Sequence, residues 1–236
     1  MSPALLVALV GAVLAVVAVI TARRPAQVLS LTGYLDGWSA LHGDTDPRAN
    51  AFVHGWLRIV YAVTRPLAVR GVMPDLVTLV AVWLGAVVLV LSLAGGGWAV
   101  LAGVLVVLTA LLDGVDGCLA VLTDRTSPHG RTLDNAADRV VEGLWLASLV
   151  ALGCPVRLAL LAAVAVLALE GVRLAAGRLV TVTAAEKPTR VIVLAPALVG
   201  SAIDPVAATL GAAILVGLTL GGLTQLGVAL RRPSPA

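Results

Sequence analysis

The sequence predicts an all-α polytopic membrane protein, and three observations carry that reading. Of 236 residues 60% are hydrophobic, the mean hydropathy is +1.04 and only 12% are charged, a balance that a water-soluble domain of this length does not keep. Apolar runs recur, separated by short polar punctuation, and a spanning helix needs about 20 mostly apolar residues. The runs are continuous and rich in Ala, Leu and Val, without the alternating pattern of membrane strands, so helices are expected rather than a barrel.

Taken in order, the run from Leu5 to Ile20 reads as a retained helix, because no basic stretch precedes it and no small-residue cleavage site follows it. Residues 1–22 are therefore expected to form an additional N-terminal transmembrane helix. Residues 23–74 differ: they are charged, bear aromatic residues and are broken by Gly and Pro. From Phe52 to Leu67, Trp56, Leu57 and Tyr61 fall at helical spacing among His54, Arg58 and Arg65, the pattern of an amphipathic helix in the membrane interface. A loop anchored at headgroup level by Trp and Tyr is the plainer alternative. Residues 75–236 then supply six helices, near 75–94, 98–122, 131–152, 156–178, 188–203 and 206–230, the third domain of the chain.

Orientation follows from the basic residues. The segments 23–74, 123–131 and 171–190, with the tail after 230 and the helix ends on that side, hold every Arg and Lys except Arg157, which places them in the cytoplasm. Cys118 and Cys154 are too few and too separated for a disulfide framework or zinc cluster. No basic stripe with interleaved aromatics argues for nucleic acid.

The chemistry concentrates in four aspartates. Asp113 and Asp116 are three apart at the end of one apolar run, and Asp134 and Asp138 are four apart at the start of the next. These spacings put each pair on one helix face, and two helices joined by a short loop are antiparallel partners whose faces can converge. Four converging carboxylates would repel and titrate to neutral forms without compensation. A divalent cation supplies it, and a cluster of hard oxygen ligands without His or Cys points to Mg²⁺ or Mn²⁺. Gly114 and Gly117 are expected to thin the first helix for the approach of something bulky, and Gly130 to open the turn before the second.

Read as one string, Asp113-Gly-Val-Asp116-Gly117-Cys-Leu-Ala120-Val121, eight residues, then Gly130-Arg-Thr-Leu-Asp134-Asn-Ala-Ala-Asp138 resembles the signature of the CDP-alcohol phosphatidyltransferase family, D-x-x-D-G-x-x-A-R, eight residues, G-x-x-x-D-x-x-x-D. Upstream, Arg70-Gly-Val-Met-Pro74-Asp75-Leu-Val-Thr78 is similar to the end of the family's interfacial helix followed by P-[ND]-x-x-T. The resemblance implies a six-helix phosphotransferase core over residues 75–230. It also implies a reaction in which a small polar, in some members phosphorylated, alcohol attacks the β-phosphorus of CDP-diacylglycerol and releases CMP in phospholipid synthesis. Asp113, Asp116, Asp134 and Asp138 would ligate two ions, and Asp138 would also take the proton of the attacking hydroxyl. Asp75, Thr78, Asp113, Gly117, Ala120, Ser127 and Gly130 would meet the nucleotide or its diphosphate. Lys187 and Arg190, in a segment resembling a basic element near the acceptor, would meet the alcohol; ordinary positive-inside anchoring is the alternative. A homodimer in the bacterial cytoplasmic membrane, with its active site facing the cytoplasm, is expected on the same ground.

The sequence departs from the signature at Val121, where the family carries an arginine beside the diphosphate. Arg125, one turn further on, or Arg131 is expected to take over that charge, and both are candidates for the acceptor side as well. A catalytically impaired CDP-lipid-binding paralogue is the alternative this departure raises. A cation-coupled transporter is the alternative from another class, since intramembrane carboxylates also mark ion paths, although it calls for inverted repeats or interrupted helices at the bilayer centre. Glu142 and Arg139, and Glu170 with Arg173, are read as supporting groups or an internal ion pair.

Overall fold

The computed structural model describes residue 8 and residues 11–16, 27–41, 45–176 and 183–231, leaving aside the side chain of Phe52. Described residues that adopt regular structure are all helical, with no strand among them. In chain order they form α1 (Leu31–Leu41), a single 3₁₀ turn (Pro47–Ala49), α2 (Ala51–Arg70), α3 (Pro74–Ala94), α4 (Trp98–Leu122), α5 (Pro128–Ala151), α6 (Val156–Ala176), α7 (Lys187–Gly200) and α8 (Val206–Arg231). The expected six-helix core is α3 to α8, with ends close to those the sequence suggests. Most of the expected N-terminal helix lies outside the described residues, of which 11–16 are helical. Helix α1 was not expected.

Four helices, α3, α4, α6 and α8, are long and apolar enough to cross a membrane. The first half of α5 instead carries Arg131, Asp134, Asp138 and Arg139, and α7 has 14 residues, short of the roughly 20 a span requires. Leu160, Val164 and Leu167 point outward from α6, each more than half exposed, as a lipid-facing stripe would.

The contacts divide the chain into two compact units. One comprises the residues up to Leu84 with Leu108–Val141; the other comprises Gly85–Val107 with Glu142 onward. The first unit's core joins Tyr34 and Leu35 of α1 and Leu57, Val60 and Ala68 of α2 to Val77 of α3 and Val115, Cys118, Leu119 and Leu122 of α4. On α2 the opposite side leaves Trp56, Ile59 and Val63 exposed, so the helix is two-faced as its sequence pattern suggests. It ends at Gly71, whose φ of 78° lets Val72 N donate back to Leu67 O at 3.1 Å, a closure that favours glycine. In the second unit α6 and α7 both pack on α8. Gly103 lies so near Ala195 O that an added Cβ would stand 2.7 Å from it, the small-residue packing that lets membrane helices approach.

Candidate active site

The site is built within the first unit, where the C-terminal part of α4 meets the start of α5. Helix α4 stops because Asp124 takes a left-handed φ of 52° and Arg125 N donates to Ala120 O at 2.8 Å, a helix-closing turn that Asp tolerates better than most residues. Four residues after Asp124, Pro128 opens α5, its fixed φ suited to a first helical position. Ser127 Oγ caps it, accepting from Gly130 N at 2.9 Å. Gly130 thus belongs to the first turn of α5 rather than opening a turn before it, and a Cβ there would come within 3.2 Å of the capping hydroxyl.

This short return brings three of the four aspartates together. Asp113 of α4 and Asp134 and Asp138 of α5 each offer a carboxylate oxygen, all within 4.8 Å of one another. All three are partly exposed, so an ion could reach them. Asp116 is turned elsewhere. It is 5% exposed; its Oδ2 accepts from Thr78 Oγ1 at 2.6 Å and its Oδ1 from Gly117 N at 2.6 Å. Arg139 stands 3.6 Å from Asp138.

A cavity of about 130 Å³ opens beside the cluster. Its walls include Asp75 and Thr78 of α3, Asp116, Gly117, Ala120 and Val121 of α4, Arg125 and Ser127 of the loop, and Gly130, Arg131 and Asp134 of α5. All the residues expected to meet the nucleotide are therefore in the lining except Asp113, which stands in the carboxylate cluster. A Cβ added at Gly117 would meet nothing within 4 Å, so this glycine does face open space. Gly114 does not: its missing side chain faces Val60 and Trp56 of α2, so it serves helix packing. Leu41 of α1 and Thr126 also line the cavity and were not expected there.

Lys187 and Arg190 belong to the second unit, at the start of α7. Arg190 is 2% exposed; its guanidinium pairs with both Glu142 and Glu170, and its Nε donates to Ala185 O at 2.9 Å. Arg173 in turn pairs with Glu170 and Glu186. The internal ion pair expected of Glu170 and Arg173 is thus one part of a larger buried network. A role for Lys187 or Arg190 toward the acceptor rests on the sequence resemblance alone.

Residues 71–230, which contain the aspartate signature, the Pro74-to-Thr78 motif and nearly all of α3 to α8, match the family model described as CDP-alcohol phosphatidyltransferase. The chain belongs to that family. The CDP-alcohol phosphatidyltransferase assignment makes it a transferase of phospholipid synthesis and a multi-pass membrane protein, and it decides against the transporter reading. Among solved structures the fold is similar to Mycobacterium tuberculosis phosphatidylinositol phosphate synthase. The crystal structure of that synthase with CDP-DAG bound is 21% identical over 75% of this chain and 96% of the other, with a TM-score of 0.62. The same synthase in complex with manganese and citrate is also 21% identical, over 74% and 90%, again with a TM-score of 0.62. At this identity the likeness shows the fold. No curated protein matches the chain at a significant level.

Proposed function

We propose that this transferase moves a phosphatidyl group from CDP-diacylglycerol to the hydroxyl of a small polar alcohol, releasing CMP. The observation that carries the reading is the convergence of Asp113, Asp134 and Asp138, with oxygens within 4.8 Å of one another, beside a cavity lined by the residues the family signature assigns to the nucleotide. A fold neighbour holds CDP-DAG in one crystal and manganese in another, which supports the same donor and a divalent ion here.

The donor set fits Mg²⁺ or Mn²⁺: three carboxylates from two helices, hard oxygens only, partly exposed and close enough to share ions. Asp113, Asp134 and Asp138 would hold the metal, two ions in all, with Asp116 able to join if its carboxylate swings from Thr78. When bound, the ions supply positive charge that neutralises the diphosphate and stabilises the departing CMP. Gly117 and Ala120 leave room for the cytidine along α4. Arg125 and Arg131, both in the cavity lining, replace the guanidinium that Val121 lacks. Asp138 accepts the proton of the attacking hydroxyl as its oxygen bonds to the β-phosphorus. The bond from that phosphorus to the bridging oxygen breaks, and the electron pair leaves with CMP. The active site faces the cytoplasm and the acyl chains of the donor stay in the bilayer.

The test is CMP release by the purified protein with Mn²⁺ or Mg²⁺, CDP-diacylglycerol and a panel of polar alcohols including glycerol phosphate, inositol phosphate and serine. Metal-dependent release with one of them supports the reading. No release with any of them, in protein that still binds CDP-diacylglycerol, rules it out.

A further inference from the structure

One helix of the cavity wall lies upstream of both the signature and the family match, which begins at residue 71. It is α1, whose C-terminal residue Leu41 lines the cavity. Its placement is fixed by contacts along its length. Tyr34 and Leu35 are buried in the first unit's core, and the Tyr34 ring stacks on Tyr61 with centroids 6.0 Å apart. Just before the helix, Leu29 N donates to Leu122 O at 3.1 Å, tying its start to the end of α4.

The closest approach is at Gly37. A Cβ built there would stand 2.8 Å from Val121 Cγ1, nearer than packed carbon atoms come, so the glycine and the valine are complementary in size. Val121 is also the single position at which the signature is broken. Leu41 follows Gly37 by four residues and so shares its helix face. Leu41 is nonetheless 52% exposed. A lone exposed leucine means nothing; this one stands in the wall of a cavity that Val121 also lines, and its helix meets Val121 through Gly37 one turn earlier.

We propose that Leu41 is a specificity-determining residue of the donor site, forming with Val121 an apolar wall for the ring face of the nucleoside, and that Gly37 sets the approach of α1 that puts it there. The proposal rests on the donor reading given above. A nucleoside presents flat apolar faces with polar edges, which suits such a wall set among Asp75, Thr78 and Ser127; a phosphate does not, and the acyl chains have the bilayer.

The test uses the full chain with Mn²⁺, and two readouts: calorimetric binding of CDP, and the KM and kcat for CDP-diacylglycerol from CMP release. Replacing a half-exposed leucine by alanine removes part of one apolar contact, so Leu41→Ala raises the CDP Kd and the donor KM about fivefold. The same variant leaves kcat within about twofold, since bound donor still reaches the same carboxylates. Leu41→Met restores both constants. Gly37→Val weakens CDP in the same way, because its side chain would meet Val121 Cγ1. If the wild type releases CMP but Leu41→Ala leaves KM and the CDP Kd unchanged, or lowers only kcat and thermal stability, the proposal is wrong and the donor reading stands. A wild type that neither binds CDP nor releases CMP overturns the donor reading itself, and this proposal with it.

Discussion

Thr78 Oγ1 donates a 2.6 Å hydrogen bond to Asp116 Oδ2, across 38 residues of sequence. This bond joins the upstream P-D-x-x-T motif of α3 to the second aspartate of the signature on α4, so the two motifs are parts of one site. Asp116 is thereby held by a hydroxyl donor and by Gly117 N, while Asp113, Asp134 and Asp138 form the carboxylate group.

A hydrogen bond to a charged group contributes about 1.5–3 kcal/mol. Thr78→Ala is therefore expected to lower CMP release on the order of tenfold or more, whereas Thr78→Ser keeps most of it. Steady-state CMP release by both variants checks this, and equal loss in the two would place the effect in packing of the methyl group.

Asp138 is assigned the acceptor's proton, and an amide cannot take it. Asp138→Asn should cut kcat by roughly 10²–10⁴, the usual range for a general base, with CDP-diacylglycerol still bound. Single-turnover release from protein preloaded with donor and saturating Mn²⁺ separates this from lost donor or metal binding.

Arg125 and Arg131 both line the cavity, and on the proposed reading they would supply the positive charge near the diphosphate that Val121 does not. A guanidinium on phosphate is a strong charge-assisted partner, so Arg125→Ala or Arg131→Ala should raise the donor KM about tenfold or more. Kinetics of both variants against CDP-diacylglycerol decide the matter: if each keeps full activity, neither arginine compensates for Val121.

In the second unit Arg190 is held between Glu142 and Glu170. Removing one member of a buried pair leaves the other charge uncompensated, at a cost of about 3–5 kcal/mol. Arg190→Met should accordingly lower the thermal midpoint sharply, and Arg173→Met less, because Arg173 is more exposed. Thermal unfolding in detergent measures both.

Much of this was legible in the sequence. Long apolar runs marked α3, α4, α6 and α8, because the bilayer demands a minimum length. The four-residue spacing of Asp134 and Asp138 foretold carboxylates that meet in one cluster, but the spacing of Asp113 and Asp116 did not show that Asp116 would accept from Thr78 instead. Helix α1 was harder. Tyr34, Leu35, Trp38 and Leu41 do recur at helical spacing, but Gly33 and Gly37 count against a helix, and only burial of Tyr34 and Leu35 in the first unit's core overrides that preference. The pairing of Glu142 with Arg190, 48 residues apart, had no local signal. Gly114 and Gly117 look alike in sequence, yet one packs on α2 and the other faces open space.

The central claim is that Asp113, Asp134 and Asp138 share divalent ions, and it is tested most directly by titrating the purified protein with Mn²⁺ while following the free-ion signal by electron paramagnetic resonance. Saturable binding by the wild type, lost or greatly weakened in Asp134→Asn and in Asp113→Asn, is the predicted result. Equal Mn²⁺ binding by the wild type and both variants would contradict it.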